Sequence, residues 1–401
     1  MWYKKYPMLS LSSKKLRSLL SFSAFHFLDD GFSDSIYLLL PFIAAELNLS
    51  FSQVGVLKGV FAGSMGLFQV PLSLLGERIG ELIVIAAGTL GLASGFLILS
   101  RVHAFQLIFL SLIFAKGTSA GQHGLSSSLL SRVFEISGRR TAMGTYNFSG
   151  DLGKVCLPFL LALMINWWGW REGVFVLSLL GLAAGVLLWG LAKKNAPFPM
   201  SPSKEKVGIK RNHWGISNPK SFSALLTIGM IDIMTRNALL TFLPFLLLRK
   251  GISATEIGFA LTLLFAGGAV GKFTCGVLAE RFGVIPMVVG TEILTSAGIL
   301  SLTGFSPSLI WVALPFVGIV LNGTSSVLYA TVAEIILPMA RSRGYGLYYA
   351  ITLGSGAVSP VIFGFLTDSL GLSFTIITTA LLILLTLPLC RYLSKPKALL
   401  S

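Results

Sequence analysis

Ser73-Leu74-Leu75-Gly76-Glu77-Arg78-Ile79-Gly80 returns, much later in the chain, as Gly276-Val277-Leu278-Ala279-Glu280-Arg281-Phe282-Gly283. Each copy sits between two long apolar runs, and each ends in a Glu-Arg pair, one apolar residue and a glycine. The offset that relates them also carries Asp29, Pro41, Ser50 and Gly55 onto Asp232, Pro244, Ser253 and Gly258. One plan, written twice, is therefore the first property of this sequence.

The plan is one for a membrane. Of 401 residues 54% are hydrophobic and only 12% charged, too little charge for a soluble protein of this length. About 20 apolar residues span a bilayer as a helix. Apolar runs between charged, proline or glycine breaks give twelve such segments: 19–45, 53–75, 82–100, 105–131, 141–165 and 171–192, then 221–248, 255–278, 284–304, 308–337, 344–367 and 372–390. No ten-residue alternation appears, which argues against a membrane barrel. The expected fold is an all-α membrane protein of twelve transmembrane helices in two pseudo-symmetric six-helix bundles. Transporter folds are commonly built from such repeats, with the site near the midplane between them.

The net charge of +15 could suggest nucleic acid, but its placement argues otherwise. Most of the 31 Lys and Arg residues fall in the N-tail, the even-to-odd loops and the C-tail, whereas Arg101, Arg171, Arg249 and Lys250 occupy the opposite loops. This is positive-inside asymmetry, so both termini are expected in the cytosol of a cell that holds the chain in its inner membrane. The expected organisation is a cytosolic N-tail 1–18, a bundle 19–192, a basic, proline-containing linker 193–220, a second bundle 221–393 and a C-tail 394–401. Met1–Arg17 has no small-residue cleavage site before a short apolar core and reads as a tail rather than a removed signal. Cys156, Cys275 and Cys390 lie in apolar runs and form no metal or disulfide framework.

An ionisable group at the bilayer centre costs roughly 2.5–3.5 kcal/mol on insertion scales, so each one inside a span calls for a function. In the first span His26, Asp30 and Asp34 follow one another at about 40° around a helix of 3.6 residues per turn, with Asp29 and Ser33 on the adjacent stripe. Carboxylates this close should leave one of them protonated near neutral pH, the property a proton carrier needs. The alternative is pairing with Lys58, Lys116 or Lys154 of spans two, four and five. Lys116 and His123 share a face of span four; Lys116 either pairs with an aspartate of span one or receives an anionic cargo. Histidine titrates in the useful range. Asp151 and Lys154, three apart in span five, form a local pair or a site. Asp232 and Arg236, four apart in span seven, pose the same choice, and Asn322 in span ten bonds a neighbouring helix or a cargo. Lys272 and Glu292 read as an ion pair between spans eight and nine. Tyr345, Tyr348 and Tyr349 line a cavity or pack, and Trp167, Trp168 and Trp170 form an interfacial belt.

Enzymatic readings find no support. There is no His-Glu-x-x-His or Gly-x-Ser-x-Gly motif, and Gly267-Gly268-Ala269-Val270-Gly271-Lys272-Phe273 lacks the spacing and the hydroxyl of a phosphate loop. No metal and no cofactor are expected; an ion gradient must supply the energy, and the partners are the bilayer and a small-molecule substrate, with the protein acting as a monomer.

The paired loops resemble the signature Gly-x-x-x-Asp/Glu-Arg-x-Gly of the major facilitator superfamily, complete in the second copy and with Ser73 for the first glycine in the first. With the twelve spans and central linker, that resemblance covers the whole chain. It implies a major facilitator fold working by alternating access, with helices one, four, seven and ten lining a cavity. Asp30, Asp34, Lys116, His123, Asp232, Arg236 and Asn322 would face that cavity. Glu77, Arg78, Gly80, Arg132, Glu280, Arg281, Gly283, Glu334, Arg341 and Arg343 would form its cytosolic gate.

A narrower resemblance, to the fosmidomycin-resistance branch of drug exporters, rests on Phe25-His26-Phe27-Leu28-Asp29-Asp30, on Gly121-Gln122-His123-Gly124 and on Ser149-Gly150-Asp151-Leu152-Gly153. Asp29 and Asp151 stand where that branch has asparagine, and Gly124 where it has proline. Gly144, Gly153 and Leu157-Pro158 are similar to the superfamily's antiporter signature. Together these imply a proton-coupled antiporter for small polar or anionic organic molecules, working as an efflux carrier. An uptake carrier for an organic anion or zwitterion, or a lipid-handling carrier of the same fold, is the alternative.

Overall fold

The computed structural model describes residues 13–134, 139–195, 216–337 and 341–393. Apart from one isolated bridge between Ile216 and Ile336, their regular structure is helical. The first half holds α1 (Ser13–Leu47), α2 (Phe51–Ile79), α3 (Glu81–Leu99), α4 (Phe105–Ser119), α5 (Gln122–Val133) and α6 (Arg139–Asn195). The second holds α7 (Pro219–Arg249), α8 (Ala254–Phe282), α9 (Val284–Gly304), α10 (Pro307–Ile335), α11 (Arg341–Leu370), α12 (Leu372–Leu382) and, after one tight turn at Ile383–Thr386, α13 (Leu387–Cys390).

Among the described residues nine helices are long and apolar enough to cross a membrane. One of these, 141–194, runs through the fifth and sixth expected spans and is interrupted by the non-helical Gly169. The first expected span is α1, which its acids keep out of that apolar set. The fourth, read from sequence as one run, is in fact α4 and α5 with a break at Ala120 and Gly121. The central linker at 196–215, both chain ends and the side chains of Arg341 and Arg343 lie outside the described residues.

The repeat seen in the sequence is a repeat of backbone devices. Ser50 caps α2 through a reciprocal box: its hydroxyl accepts from the Gln53 backbone at 3.2 Å, and its own N–H donates to Gln53 Oε1 at 2.9 Å. Ser253 builds the same box on α8 with Glu256, at 3.3 and 2.8 Å. Pro41 and Pro244 lie inside α1 and α7. Gly80 and Gly283 have φ of 110° and 90° and start α3 and α9, a left-handed backbone that a side chain resists. The Glu-Arg-x-Gly pattern thus ends in glycine because the chain must reverse there. Gly283→Ala should cost about 1–2 kcal/mol in thermal unfolding of the purified protein; no cost would mean the turn is not left-handed.

The chain forms two compact units, Met1–Leu39 with Ser64–Glu205, and Leu40–Gly63 with Lys206–Ser401. This partition differs from the division at the linker, because the start of α2 belongs with the second unit. Asp368 of α11 accepts hydrogen bonds from the backbone N–H of Phe51 and Ser52, both at 2.8 Å, and from the Ser52 hydroxyl. Gly55 leaves room for the Pro360 carbonyl where any side chain would collide. In the first unit Phe25, Ile85, Leu130, Phe134 and Tyr146 anchor one apolar core. In the second Leu225, Val288, Val332 and Tyr348 anchor another. Large apolar residues such as Leu67, Phe273 and Phe316 remain exposed, as lipid-facing positions do.

Candidate functional site

The first unit gathers its charges where α1 crosses α6. At Gly153 a Cβ would run into the Phe27 carbonyl, and at Gly150 it would lie 2.6 Å from His26 Nε2 and 2.7 Å from Asp30 Oδ2. The Ser149-Gly150-Asp151-Leu152-Gly153 stretch therefore lays bare backbone against the acidic face of α1 and brings Asp151 and Lys154 up to it. The Ser149 hydroxyl donates to the Ser23 carbonyl at 2.9 Å and fixes the crossing.

Two carboxylates of α1 divide the neighbouring charges between them. Lys116 of α4 donates to Asp29 Oδ2 at 3.0 Å and to the Ser33 hydroxyl at 2.7 Å. Lys154 reaches Asp30 Oδ2 at 3.1 Å and Asp151 Oδ1 at 3.7 Å, and lies within electrostatic reach of Asp34. His123 of α5 stands across both, with Nε2 at 3.6 Å from Asp29 Oδ2 and 3.5 Å from Asp30 Oδ1. The break between α4 and α5 places that ring. Side-chain exposure rises from 1% at Asp29 through 11% at Asp30 to 26% at Lys154 and 32% at His123. The cluster thus has a sealed end at Asp29–Lys116 and an open end at His123–Lys154.

His26 supplies the chemistry. Its Nδ1 lies 2.8 Å from the Tyr146 carbonyl, which can only accept, so Nδ1 carries a hydrogen. Its Nε2 then faces Asp30 Oδ2 at 3.3 Å. In a neutral ring that contact sets lone pair against lone pair; a second proton turns it into an ion pair. The ring stacks on Tyr146 at 4.1 Å and meets His123 edge-on at 4.9 Å, so it has little freedom to turn away. Donor atoms of His26, Asp30 and His123 lie within 4.8 Å of one another and have the chemistry to hold a metal ion. However, the Lys154 ammonium already lies against the same carboxylate.

Other expected residues fall elsewhere. Lys116 is spent on Asp29 and Ser33, the pairing alternative, rather than left open to a cargo. Lys154 pairs across helices as well as locally. Lys58 groups with the second unit, buried, its ammonium 5.5 Å from the Phe61 ring centre. In that unit Asp232 is buried, and Arg236, one turn on, donates to Asn322 Oδ1 at 3.5 Å. Glu292 is not paired with Lys272: neither of its carboxylate oxygens has a hydrogen-bonding partner among the described residues. Tyr345, Tyr348 and Tyr349 pack with Tyr329 as one ring cluster.

The expected gate residues can be placed in part. Glu77, Arg78, Glu280 and Glu334 are exposed and form no ion pair among the described residues, and Arg281 lies over the Phe282 ring. Arg132 pairs with Glu81, which accepts from the Ser128 hydroxyl as well. Sequence reasoning overlooked Glu81, although it stands directly after the signature glycine. It also missed Tyr146, whose part is played by a backbone carbonyl and a ring face that no motif records.

The sequence model described as Major Facilitator Superfamily matches residues 22–224 and 225–400. The gentisate transporter of Corynebacterium glutamicum is 25% identical over an alignment covering 98% of this chain and 91% of that protein. The fosmidomycin resistance protein of Escherichia coli K12 is 22% identical, covering 86% and 84%. A bacterial homologue of the human lysosomal transporter Spinster, crystallised inward-facing and unoccupied, superposes with a TM-score of 0.79 at 15% identity, covering 96% and 98%; at that identity the likeness is one of fold.

Proposed function

The chain belongs to the major facilitator superfamily of multi-pass membrane transporters, and on that premise we propose that it is a proton-coupled carrier of small polar or anionic organic molecules. The family and fold are those of transporters, not of enzymes. The observation that carries the coupling is the His26–Asp30 contact. A ring whose Nδ1 hydrogen is committed to a carbonyl, and whose Nε2 faces a carboxylate at 3.3 Å, is a place where one proton decides between repulsion and attachment. His123 stands 3.5 Å from the same carboxylate, Asp29 and Asp34 are the further proton-holding candidates, and the partly exposed end at His123 and Lys154 would be where the proton enters.

For the cargo, each unit offers a partly accessible cation of its own: Lys154 beside Asp151 in the first, and Arg236 beside Asn322 and one turn from Asp232 in the second. Cations beside acceptors suit an organic anion or a zwitterion. One relative transports gentisate, a small organic acid, and the other confers fosmidomycin resistance, which fits export. The narrower kinship with the fosmidomycin-resistance branch remains part of this reading, supported by that one relative among several of other names. Outward movement is favoured by the antiporter-like Gly144, Gly153 and Leu157-Pro158 on α6. The carrier would work as a monomer in the inner membrane by alternating access, with both termini cytosolic, the Glu-Arg-x-Gly turns at its gate and the proton gradient as its energy source.

The test is collapse of an imposed pH gradient in inverted vesicles challenged with organic acids, phosphonates, amino acids and cationic drugs. A signal confined to acids and zwitterions supports the reading. A signal confined to cationic drugs, or no signal from well-inserted protein, removes it.

A further inference from the structure

The second unit contains an acid with no cation beside it among the described residues. Glu292 lies midway along α9, 0% exposed, and both its oxygens lack a hydrogen-bonding partner among the described residues. Its neighbours in sequence are polar yet offer it nothing. The Thr291 hydroxyl is engaged with Thr324 of α10 at 2.7 Å, and the buried Thr295 hydroxyl is itself unpartnered.

The groups that could answer its charge come from four elements. From α7 there is Asp232, buried, in electrostatic reach, and with an unpartnered Oδ1 of its own. From α13 there is the Cys390 thiol, whose hydrogen is directed to the Thr386 carbonyl at 3.4 Å. From α10 come Tyr329 and the exposed Glu334, and from α8 Glu256, Lys272, Cys275, Glu280 and Arg281, none of which hydrogen-bonds Glu292. From α12 come no ionisable groups. Among the described residues the charge that acts on it is therefore that of another acid. Asp232 has Arg236 as its counter-charge; Glu292 has none.

Burying an ionised carboxylate with neither a cation nor a donor costs several kcal/mol, and in practice such a group is neutralised instead. The Arg236 guanidinium answers the charge of Asp232, which leaves that of Glu292 to be cancelled by a proton. We propose that Glu292 is a second proton-holding site of this carrier, a neutral carboxylic acid within the second unit. It is separate from the His26–Asp30 cluster and does not depend on the coupling assigned there.

Infrared spectroscopy of the purified protein, exchanged into D2O at neutral pH, tests it directly. The expected result is a protonated-carboxyl carbonyl band, the intensity of one group of which disappears in Glu292→Gln and survives in Asp30→Asn. An unchanged band in Glu292→Gln would mean that Glu292 is ionised and would overturn the proposal. Should Glu292→Gln not fold, Glu292→Asp must shift the band; an unshifted band again counts against the proposal.

Discussion

Asp30→Asn is expected to reduce proton-driven transport to background while the protein still folds and still exchanges cargo. Asp30 is the carboxylate on which the titratable groups converge: His26 at 3.3 Å, His123 at 3.5 Å and Lys154 at 3.1 Å. An amide keeps the size and can accept from Lys154, but it cannot share a proton with His26. Folding should be spared because Lys154 retains Asp151 at 3.7 Å and its interaction with Asp34. The check is a comparison of two assays in proteoliposomes, accumulation against a pH gradient and gradient-free counterflow. Loss of the first with survival of the second is the expected pattern. Equal loss of both would make Asp30 a cargo ligand, and full activity in both would place coupling elsewhere.

The second large effect is on stability. Lys116→Ala should destabilise the protein by roughly 3–5 kcal/mol, because it strands a buried aspartate without its cation. Asp29 has a side chain only 1% exposed, and Lys116 is its one ammonium, held further by Ser33. The double variant Lys116→Met with Asp29→Asn should recover most of that loss, since a buried pair is often no better than a neutral replacement. Thermal unfolding of the single and double variants measures both. A small loss in Lys116→Ala would show that this lysine is not committed to Asp29, which would return it to the residues available for an anionic cargo.

Much of this architecture was legible because the sequence states it twice. Ser50 and Ser253 match in sequence and build the same capping box, and Gly80 and Gly283 match and share a left-handed backbone. The spans followed from hydropathy alone, apart from the break at Ala120 and Gly121, where no proline announces the end of α4 and where the turn nevertheless decides the position of His123.

What could not be read was the choice of partner across helices. Spacing along one helix names neighbours three and four residues away. It therefore offered Asp151 to Lys154, but it could not show that Gly150 and Gly153 bring Asp30 closer still. The same limit explains the ion pair expected between Lys272 and Glu292, and the gate arginine Arg132 found on Glu81. In each case opposite charges on adjacent spans were available, and the rotation of each helix chose among them. Lys116 was the favourable case: its two alternatives were both visible in the sequence, and only packing selected between them.

The central claim is that a proton gradient does the work. The most direct measurement is concentrative transport of an organic acid, identified by the vesicle panel, in proteoliposomes where a pH gradient or a sodium gradient is imposed alone. The account predicts accumulation with the pH gradient only, abolished by a protonophore and by Asp30→Asn. Accumulation driven by sodium at equal pH on both sides, or transport that only equilibrates the cargo whichever gradient is imposed, would contradict it.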